Sequence, residues 1–486
     1  MDTMVFLQDA AGAEGLDGAE RDALGLLVRQ LAAHAPGNEM RSLYYNGKQS
    51  LQRAGLLGMA IPGELAKLET ALGWPAKAVT TLEHRLNLQG FVMPDGQGRD
   101  EGLDDIWRGN RMDAEASMAH TASLIHGTAF VTVSAGDTAA GEPAVVIAAR
   151  SAREATALWS RRSREITAGL TVNASDGAAP VSATLWLPDR AVTLTQDGSG
   201  VAVRRVAHRL GRVPMVMLPF RPHLEREFGV PRITGAVMGL TDAAVRTVLR
   251  MEATAEFFSF PQRYGLGVAA EDFSDTFKTY LNRFLALGRD DSGELPQLGT
   301  FASSSPQPHI DQLRALASMF SGETSIPLNY LGIVHDNPSS ADAIRAAEAD
   351  LITVVERAQT VYGAAWRQVM MLAQQVRDGG PDPRMVRAQP QWRDAATPTK
   401  AANAQAVMAL VSAGVLPAMS EVTWRLLGYD EATIIELSAG AARSHARDTE
   451  SRLTMAVERR LAEGAAPPSP AVGDAASGSV TIGEVL

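Results

Sequence analysis

The stretch IPLNYLGIVHDNPSSADAIRAAEADL, residues 326–351, decides how the chain is read. A short apolar turn bearing Pro327 passes into a polar loop. The loop closes on Asn337-Pro338-Ser339-Ser340, and a long amphipathic helix begins. Ser339 or Ser340 can serve as N-cap, and Asp342 lies in the first turn, where the helix dipole favours an anion. Apolar residues then recur at Ile344, Ala347, Leu351, Val354, Ala358, Val361, Ala365, Val369 and Leu372. That is helical spacing on one face. The predicted helix is roughly 50 Å long at ~1.5 Å per residue. Globular helices average only ~11–12 residues, so this one points to a structural machine more than to a pocket enzyme.

Outward from this helix, composition sets the frame. A chain of 486 residues has room for roughly two to four domains. Apolar residues make up 45% and charged residues 21%, as in globular proteins generally. Cysteine is absent, which excludes a disulfide framework, a thiolate nucleophile and a Cys-based metal site. No apolar run of ~18 residues is present, so no transmembrane helix and no membrane partner are expected. The start, MDTMVFLQDAAGAEGLDGAERD, is acidic and lacks the basic region of a secretory signal. Net charge is −10. Proteins that grip DNA through counterion release are usually basic, so this balance argues against tight general nucleic-acid binding, though not against a protein that surrounds DNA and lets it slide.

Residues 1–90 read as helical, with Leu24, Leu27, Val28 and Leu31 on one side of Ala19–His34. Arg41–Gly47 reads as a polar-aromatic step, and Glu64–Leu72 and Ala76–Leu88 as further helical pieces. An Ala/Met/His-rich helix ends at His126, with Gly127 as its C-cap. Residues 128–220 change character. Ala129–Val133, Ala144–Ala148, Ala183–Leu187 and Ala191–Thr195 look like strands, and Asp197–Gly200 like a hairpin turn. Helix returns over 232–258, a loop-rich segment over 259–308 and a short helix over 309–320. Gly379–Pro390 reads as a linker. Residues 399–462 read as helices, with a break at Gly440, and the Gly/Pro/Ser/Ala-rich end as disorder.

Motifs for catalysis are missing: no GxxxxGK[ST], HExxH or GxSxG occurs. His120 and His126 lack metal-ligand spacing. His309 and Asp311 suit a polar helix start. Asp104 and Asp105 suit a turn or cap, or with Glu115 a metal-dependent nuclease. The basic run Arg204, Arg205, Arg209, Arg212, Arg221, Arg226 and Arg232 either meets phosphates or forms salt bridges across an interface, aided by Glu225 and Glu227; no aromatics interleave as a stacking reader needs. Gly235 and Gly239, four apart, permit close helix approach or mark a frayed turn. No catalytic, cofactor or metal residues are assigned, and no cofactor is expected.

The order of these segments, and above all GRVPMVMLPF (211–220) and SIPLNYLG followed by NPSSADAI (325–344), resembles the portal, or head-to-tail connector, proteins of tailed bacteriophages, especially those of actinobacterial phages. The resemblance covers most of residues 40–376. It implies a mainly helical α+β subunit with wing, two-helix stem, small α/β clip, long wing helix and helical crown. On this sequence it implies N-terminal helices and β-rich wing over 1–231, stem helices over 232–258 and 309–322, and a clip over 259–308. A tunnel loop follows over 323–338, then a long helix over 339–378, a crown over 379–462 and a disordered tail over 463–486. It also implies a ring, usually of twelve subunits, at the unique capsid vertex of the virion, assembled in the host cytoplasm. Double-stranded DNA would pass through it for packaging and ejection. The implied partners are the terminase large subunit, the major capsid protein and scaffold, and head-completion or adaptor proteins. Asn329, His335, Asp336 and Asn337 would face the DNA, and Arg204, Arg205, Arg209 and Arg212 would face a neighbouring subunit or the DNA. The competing readings are another capsid-associated adaptor or minor head protein, and the nuclease.

Overall fold

The computed structural model describes residues 3–49, 71–93, 101–173, 181–198, 200–259, 263–266, 297–300, 305–333, 341–396, 400–429 and 431–464. It is a mainly helical α+β structure in two compact units, Met1–Ala395 and Ala396–Leu486.

The first unit opens with α1 (Thr3–Ala11) and α2 (Gly18–Tyr45). A capping box starts α2: Asp17 accepts from the Glu20 backbone, and Glu20 accepts from that of Asp17. Leu24, Leu27, Val28 and Leu31 are buried, in the predicted register. The helix does not stop near His34, however. It runs through Pro36 to Tyr45, so the predicted polar-aromatic step is its last turn. Buried Asn38, which donates to the Ala152 carbonyl, and buried Tyr44 dock this second half and offset the hydrogen bond that proline removes.

Next come α3 (Trp74–Glu83), strand β1 (Leu88–Val92), α4 (Glu101–Gly109) and α5 (Met112–His126). The predicted Ala76–Leu88 helix therefore ends early, and Leu88 opens a strand. At the end of α5, Gly127 has φ of 96°, and a Cβ there would meet the Pro231 nitrogen at 3.1 Å, so the chain requires glycine twice over.

Two antiparallel sheets follow. The first has order β3-β2-β9: β2 (Thr128–Ala135), β3 (Val145–Ser151) and β9 (Met215–Pro219). The second is a meander, β4 (Ala155–Ser160), β5 (Glu165–Asn173), β6 (Ser182–Trp186), β7 (Arg190–Asp197) and β8 (Gly200–Ala207). The predicted hairpin is present, with Asp197 paired to Gly200.

Alternation along these strands sorts side chains into three clusters. Leu170, Ala183, Leu185, Val192 and Leu194 pack with α1 and α2. Phe130, Ala155, Ala157, Ile166 and Met215 gather between the two sheets. Ala129, Val131, Val133, Val216 and Leu218 belong to the largest core, shared with α5 and a later long helix.

Beyond β9, α6 (Gly235–Ser259) packs on α7 (Gln307–Thr324). Thr254, late in α6, meets His309 at the start of α7, and Thr234 meets Glu323 at its end, so the two helices run antiparallel. A two-stranded ribbon, β10 (Arg263–Leu266) with β11 (Gln297–Thr300), lies between them in sequence. Gly235 and Gly239 have open space at their Cβ positions among the described residues, so neither serves close approach to a described helix.

The long helix, α8, spans Ala341–Asp378, 38 residues; the predicted caps Ser339 and Ser340 lie outside the described residues. Its buried face is Leu351, Val355, Ala358, Tyr362, Ala365, Trp366, Val369 and Met370. Of the predicted stripe Leu351, Ala358, Ala365, Val369 and Leu372 are buried, whereas Val354 and Val361 are half-buried, Ala347 is exposed, and two aromatic residues take the centre. Gly363 lets the following segment come close, for a Cβ there would stand 2.7 Å from Pro390. That segment, predicted as a linker, holds a 3-10 turn (Pro383–Arg387) and β12 (Gln389–Trp392), which pairs with β1.

The second unit holds α9 (Lys400–Ser412), α10 (Glu421–Leu426), capped by Ser420, and α11 (Glu431–Gly464). Asn403 donates to the Leu426 carbonyl at 2.6 Å, joining the first two. The helix α11 continues through Gly440 without the predicted break.

Candidate functional site

The residues from Ser325 to Ile333, beyond α7, are braced against α8. Ser325 adopts a left-handed conformation (φ 55°) that ends α7, and a 3-10 turn, Leu328–Leu331, follows. Tyr330 in that turn donates its hydroxyl hydrogen to Glu348 of α8. Arg85, from the segment between α3 and β1, donates to the Tyr330 hydroxyl at 3.1 Å, stands 3.2 Å from the same Glu348 oxygen, and donates to the Ala395 carbonyl at 3.0 Å. The side chains of Arg85 and Glu348 are 7% and 14% exposed, so the pair is held out of water, where its attraction is strengthened. Burial, then the Glu348 carboxylate, raises the pKa of the Tyr330 hydroxyl and keeps it a donor. Lys77 stands over the Tyr330 ring at 5.7 Å.

A second junction fixes the root of the α6–α7 pair. Arg232 is buried just ahead of α6. Its backbone N–H donates to the Leu124 carbonyl at 2.8 Å, its Nε to the Ala78 carbonyl, and its Nη2 to the Thr324 carbonyl, the last residue of α7, at 2.6 Å. Burial lowers its pKa to about 10, which still leaves it charged at neutral pH. A cation there is favoured by the carbonyl end of α7. Tyr44 adds a second tie, donating to the Asp242 carboxylate of α6 at 2.8 Å.

Under both junctions lies an aromatic cluster. Trp366 donates to Nε2 of His120 at 2.8 Å, and His120 stacks on Tyr362 with ring centres 4.9 Å apart. Tyr362 donates to Ser123, and Ser123 to the Leu218 carbonyl of β9. Burial lowers the His120 pKa to about 3, so it is a neutral acceptor inside the core.

The predicted DNA-facing set divides. Asn329 is exposed in the 3-10 turn, its carbonyl accepting from Gly332. His335, Asp336 and Asn337 lie outside the described residues. The arginines do not form one patch. Arg204 is exposed on β8 and Arg209 is exposed beyond it. Arg205 pairs with buried Glu20, as does Arg190 at 2.9 Å, so this arginine fastens β8 to α2. Arg205, with burial opposing and Asp17 and Arg190 assisting, draws the Glu20 pKa down to about 2. Arg212 lies 3.5 Å from Glu165. Asp104 and Asp105 sit on α4 and Glu115 on α5. Among the described residues no group of three or more His, Asp or Glu side chains is placed to hold a metal ion, and no helix is long and apolar enough to cross a membrane.

Arg85 and Glu348 escaped the sequence reading, and Arg232 entered it only as one of a basic run, because each works through partners far away in the chain: Arg85 and Tyr330 are 245 residues apart.

The fold is thus a helix pair rooted in an α/β body and followed in sequence by a 38-residue helix. The chain belongs to the family described as phage portal protein, SPP1 Gp6-like, whose model matches residues 28–424. It is 33% identical over 390 residues to the portal protein of Mycobacterium phage L5, a match covering 77% of this chain and 79% of that protein. It is 32% identical to the portal protein of Mycobacterium phage D29 over the same length and shares. Among solved structures it resembles the neck of an empty GTA particle computed with C6 symmetry, with TM-score 0.43, 13% identity and coverage of 78% of this chain and 93% of that one. A second resemblance is to the neck of a native GTA particle computed with C12 symmetry, with TM-score 0.39, 14% identity and coverage of 80% and 93%. Family membership implies a structural, non-enzymatic role.

Proposed function

We propose that copies of this chain close into a ring of twelve at one vertex of a phage capsid, around a channel through which double-stranded DNA enters during packaging and leaves on ejection. The observation that carries the reading is the family match over residues 28–424. Heterologous contacts that close by rotation need rigid elements and broad surfaces, which α8 and the sheets offer. The α6–α7 pair is the stem in this reading, and the segment between those helices is the clip that meets the terminase large subunit and later the head-completion proteins. The α/β body is the wing that meets the major capsid protein and scaffold.

The loop from residue 323 to 338 is the tunnel loop, with Asn329, His335, Asp336 and Asn337 toward the duplex. Bracing on both sides by Tyr330 and Glu348 suits a loop that must meet moving DNA without unravelling the helices it joins. The net charge of −10 suits a channel that must not hold the duplex. In this reading the protein carries no catalytic residues.

Native mass together with negative-stain imaging of the purified chain tests the proposal. Rings of about twelve subunits, with a hole wide enough for a duplex, are expected. A chain that stays monomeric or dimeric even with scaffold and coat protein present would overturn it.

A further inference from the structure

The two sheets of the α/β body have four outer edges, β3, β9, β4 and β8, and three of them are closed or blunted. Gln30 of α2 donates to the Ala157 carbonyl of β4 at 3.1 Å. Asn110 stands in for a neighbouring strand along β3: it donates to the Val145 carbonyl and accepts from the Ile147 N–H, both at 2.8 Å. The strand β9 is short, ends in Pro219, which has no N–H, and begins at Met215, which is buried between the sheets. Such devices keep an edge from pairing with another chain.

The fourth edge, β8, is bare. Asp197 and Gly200 form the pair that closes its hairpin, and the His208 N–H donates to the Asp189 carbonyl at 2.8 Å, which fixes the alternation of the ladder. Gly200, Ala202, Arg204 and Val206 bond to β7. The N–H and C=O groups of Val201, Val203, Arg205 and Ala207 point the other way, and among the described residues nothing meets them. Six of the eight residues are exposed, and the strand carries no proline and no register shift. Its two faces differ. Val201 and Val203 pack toward α1 and α2, and Arg205 on the same side is spent on Glu20. Ala202, Arg204 and Val206, the last 50% exposed, line the outer face. Arg204 meets no acid among the described residues, and Arg209 just beyond the strand is exposed as well.

We propose that β8 receives an extended acidic segment of another protein as a sixth strand of the meander. A row of alternating donors and acceptors matches a peptide backbone, whereas nucleic-acid phosphates offer acceptors alone. A carboxylate across from Arg204 and a β-branched side chain across from Val206 complete the outer face. The β8 strand of a second copy is the wrong occupant: pairing two such strands brings Arg204 and Arg205 of each toward those of the other, and like charges across a ladder repel. The β3 and β4 edges of a second copy are already closed by Asn110 and Gln30.

Fluorescence anisotropy of a short peptide of alternating Val and Glu, titrated with the full chain, tests it. Saturable binding is expected. A Lys-for-Glu counterpart should bind about tenfold more weakly, and a counterpart with two adjacent prolines at its centre should not bind, because strand addition needs the peptide's N–H groups. Arg204→Glu should invert the preference between the Glu and Lys peptides; the residue is exposed, so the variant folds. Arg162→Glu, the same charge change in the exposed β4–β5 turn, should keep the original preference. Hydrogen exchange places the contact: amides of Val203 and Arg205 should slow when the Glu peptide is added. Absence of binding, binding that survives the prolines, or an unchanged preference in Arg204→Glu overturns the proposal. Two further outcomes also overturn it: a short duplex that binds where the peptide does not makes the arginines a phosphate contact, and slowed exchange over residues 200–207 at rising chain concentration alone makes the occupant a second copy.

Discussion

The Tyr330 hydroxyl donates to the Glu348 carboxylate and thereby closes an 18-residue span that joins the turn after α7 to the body of α8. Arg85 touches both partners, so the three form one part-buried network. Tyr330→Phe removes the shared hydroxyl while keeping the ring and its contact with Lys77. A hydrogen bond to a charged group contributes about 1.5–3 kcal/mol, so a loss at the lower end of that range is expected in denaturant unfolding, with Arg85 and Glu348 still paired. A loss within error would show that the network is incidental to stability.

The proposed tunnel loop yields a sharper separation. Deleting residues 334–337 leaves Tyr330, Glu348 and every described helix in place. Rings are expected to form as before while DNA packaging falls to background. Native mass and an in vitro packaging measurement read the two effects separately. Rings that no longer assemble would make the loop an interface element.

Glu20 predicts an acid-sensitive joint between α2 and the meander. Its pKa is about 2 in the folded chain against 4.5 ordinarily. The carboxylate is thus favoured by folding, and its contribution is complete above about pH 4.5 and fades as pH falls toward 2. Glu20→Gln should flatten the stability–pH profile across that window. At pH 7 breaking a buried pair costs about 3–5 kcal/mol, because Arg190 and Arg205 lose their carboxylate, with the lower end expected as both are partly exposed. Equilibrium unfolding at a series of pH values checks both.

Trp366 is fully buried, contacts Trp107 edge-on at 5.4 Å between ring centres and donates to His120. Trp366→Ala is expected to cost about 3–5 kcal/mol through cavity formation, and it also orphans Nε2 of His120. Trp366→Phe keeps much of the volume but not the N–H, and should cost less. Calorimetry on the two variants ranks packing against hydrogen bonding.

Periodicity made much of the fold legible. Leu24, Leu27, Val28 and Leu31 declared the buried side of α2, and Asp197–Gly200 declared the β7–β8 hairpin, because both signals are local. The presence of α8 was legible too, while part of its buried face, at Val355, Tyr362 and Trp366, was missed. Over so long a helix the 3.6-residue period drifts, and the bulk of Tyr362 and Trp366 outweighs evenly spaced Ala and Val. The strand Leu88–Val92 was not foreseen and its first residues read as helix, since five residues carry little period of their own and its partner, Gln389–Trp392, lies about 300 residues on. The basic run looked like one surface because its arginines are neighbours in sequence. The fold sends Arg205 to Glu20, Arg212 to Glu165 and Arg232 into the core.

Arg232 joins three backbones at one guanidinium-bearing residue: the end of α5, the middle of α3 and the last turn of α7, immediately before α6 sets out. The entry and exit of the helix pair are therefore pinned to a common pivot. A push on the far end of either helix reaches the body of the subunit at the same place and together with its neighbour's load. The pair is built as a lever with one fulcrum, so a load on its far end is delivered next to α5 and the buried aromatic stack of His120 and Tyr362.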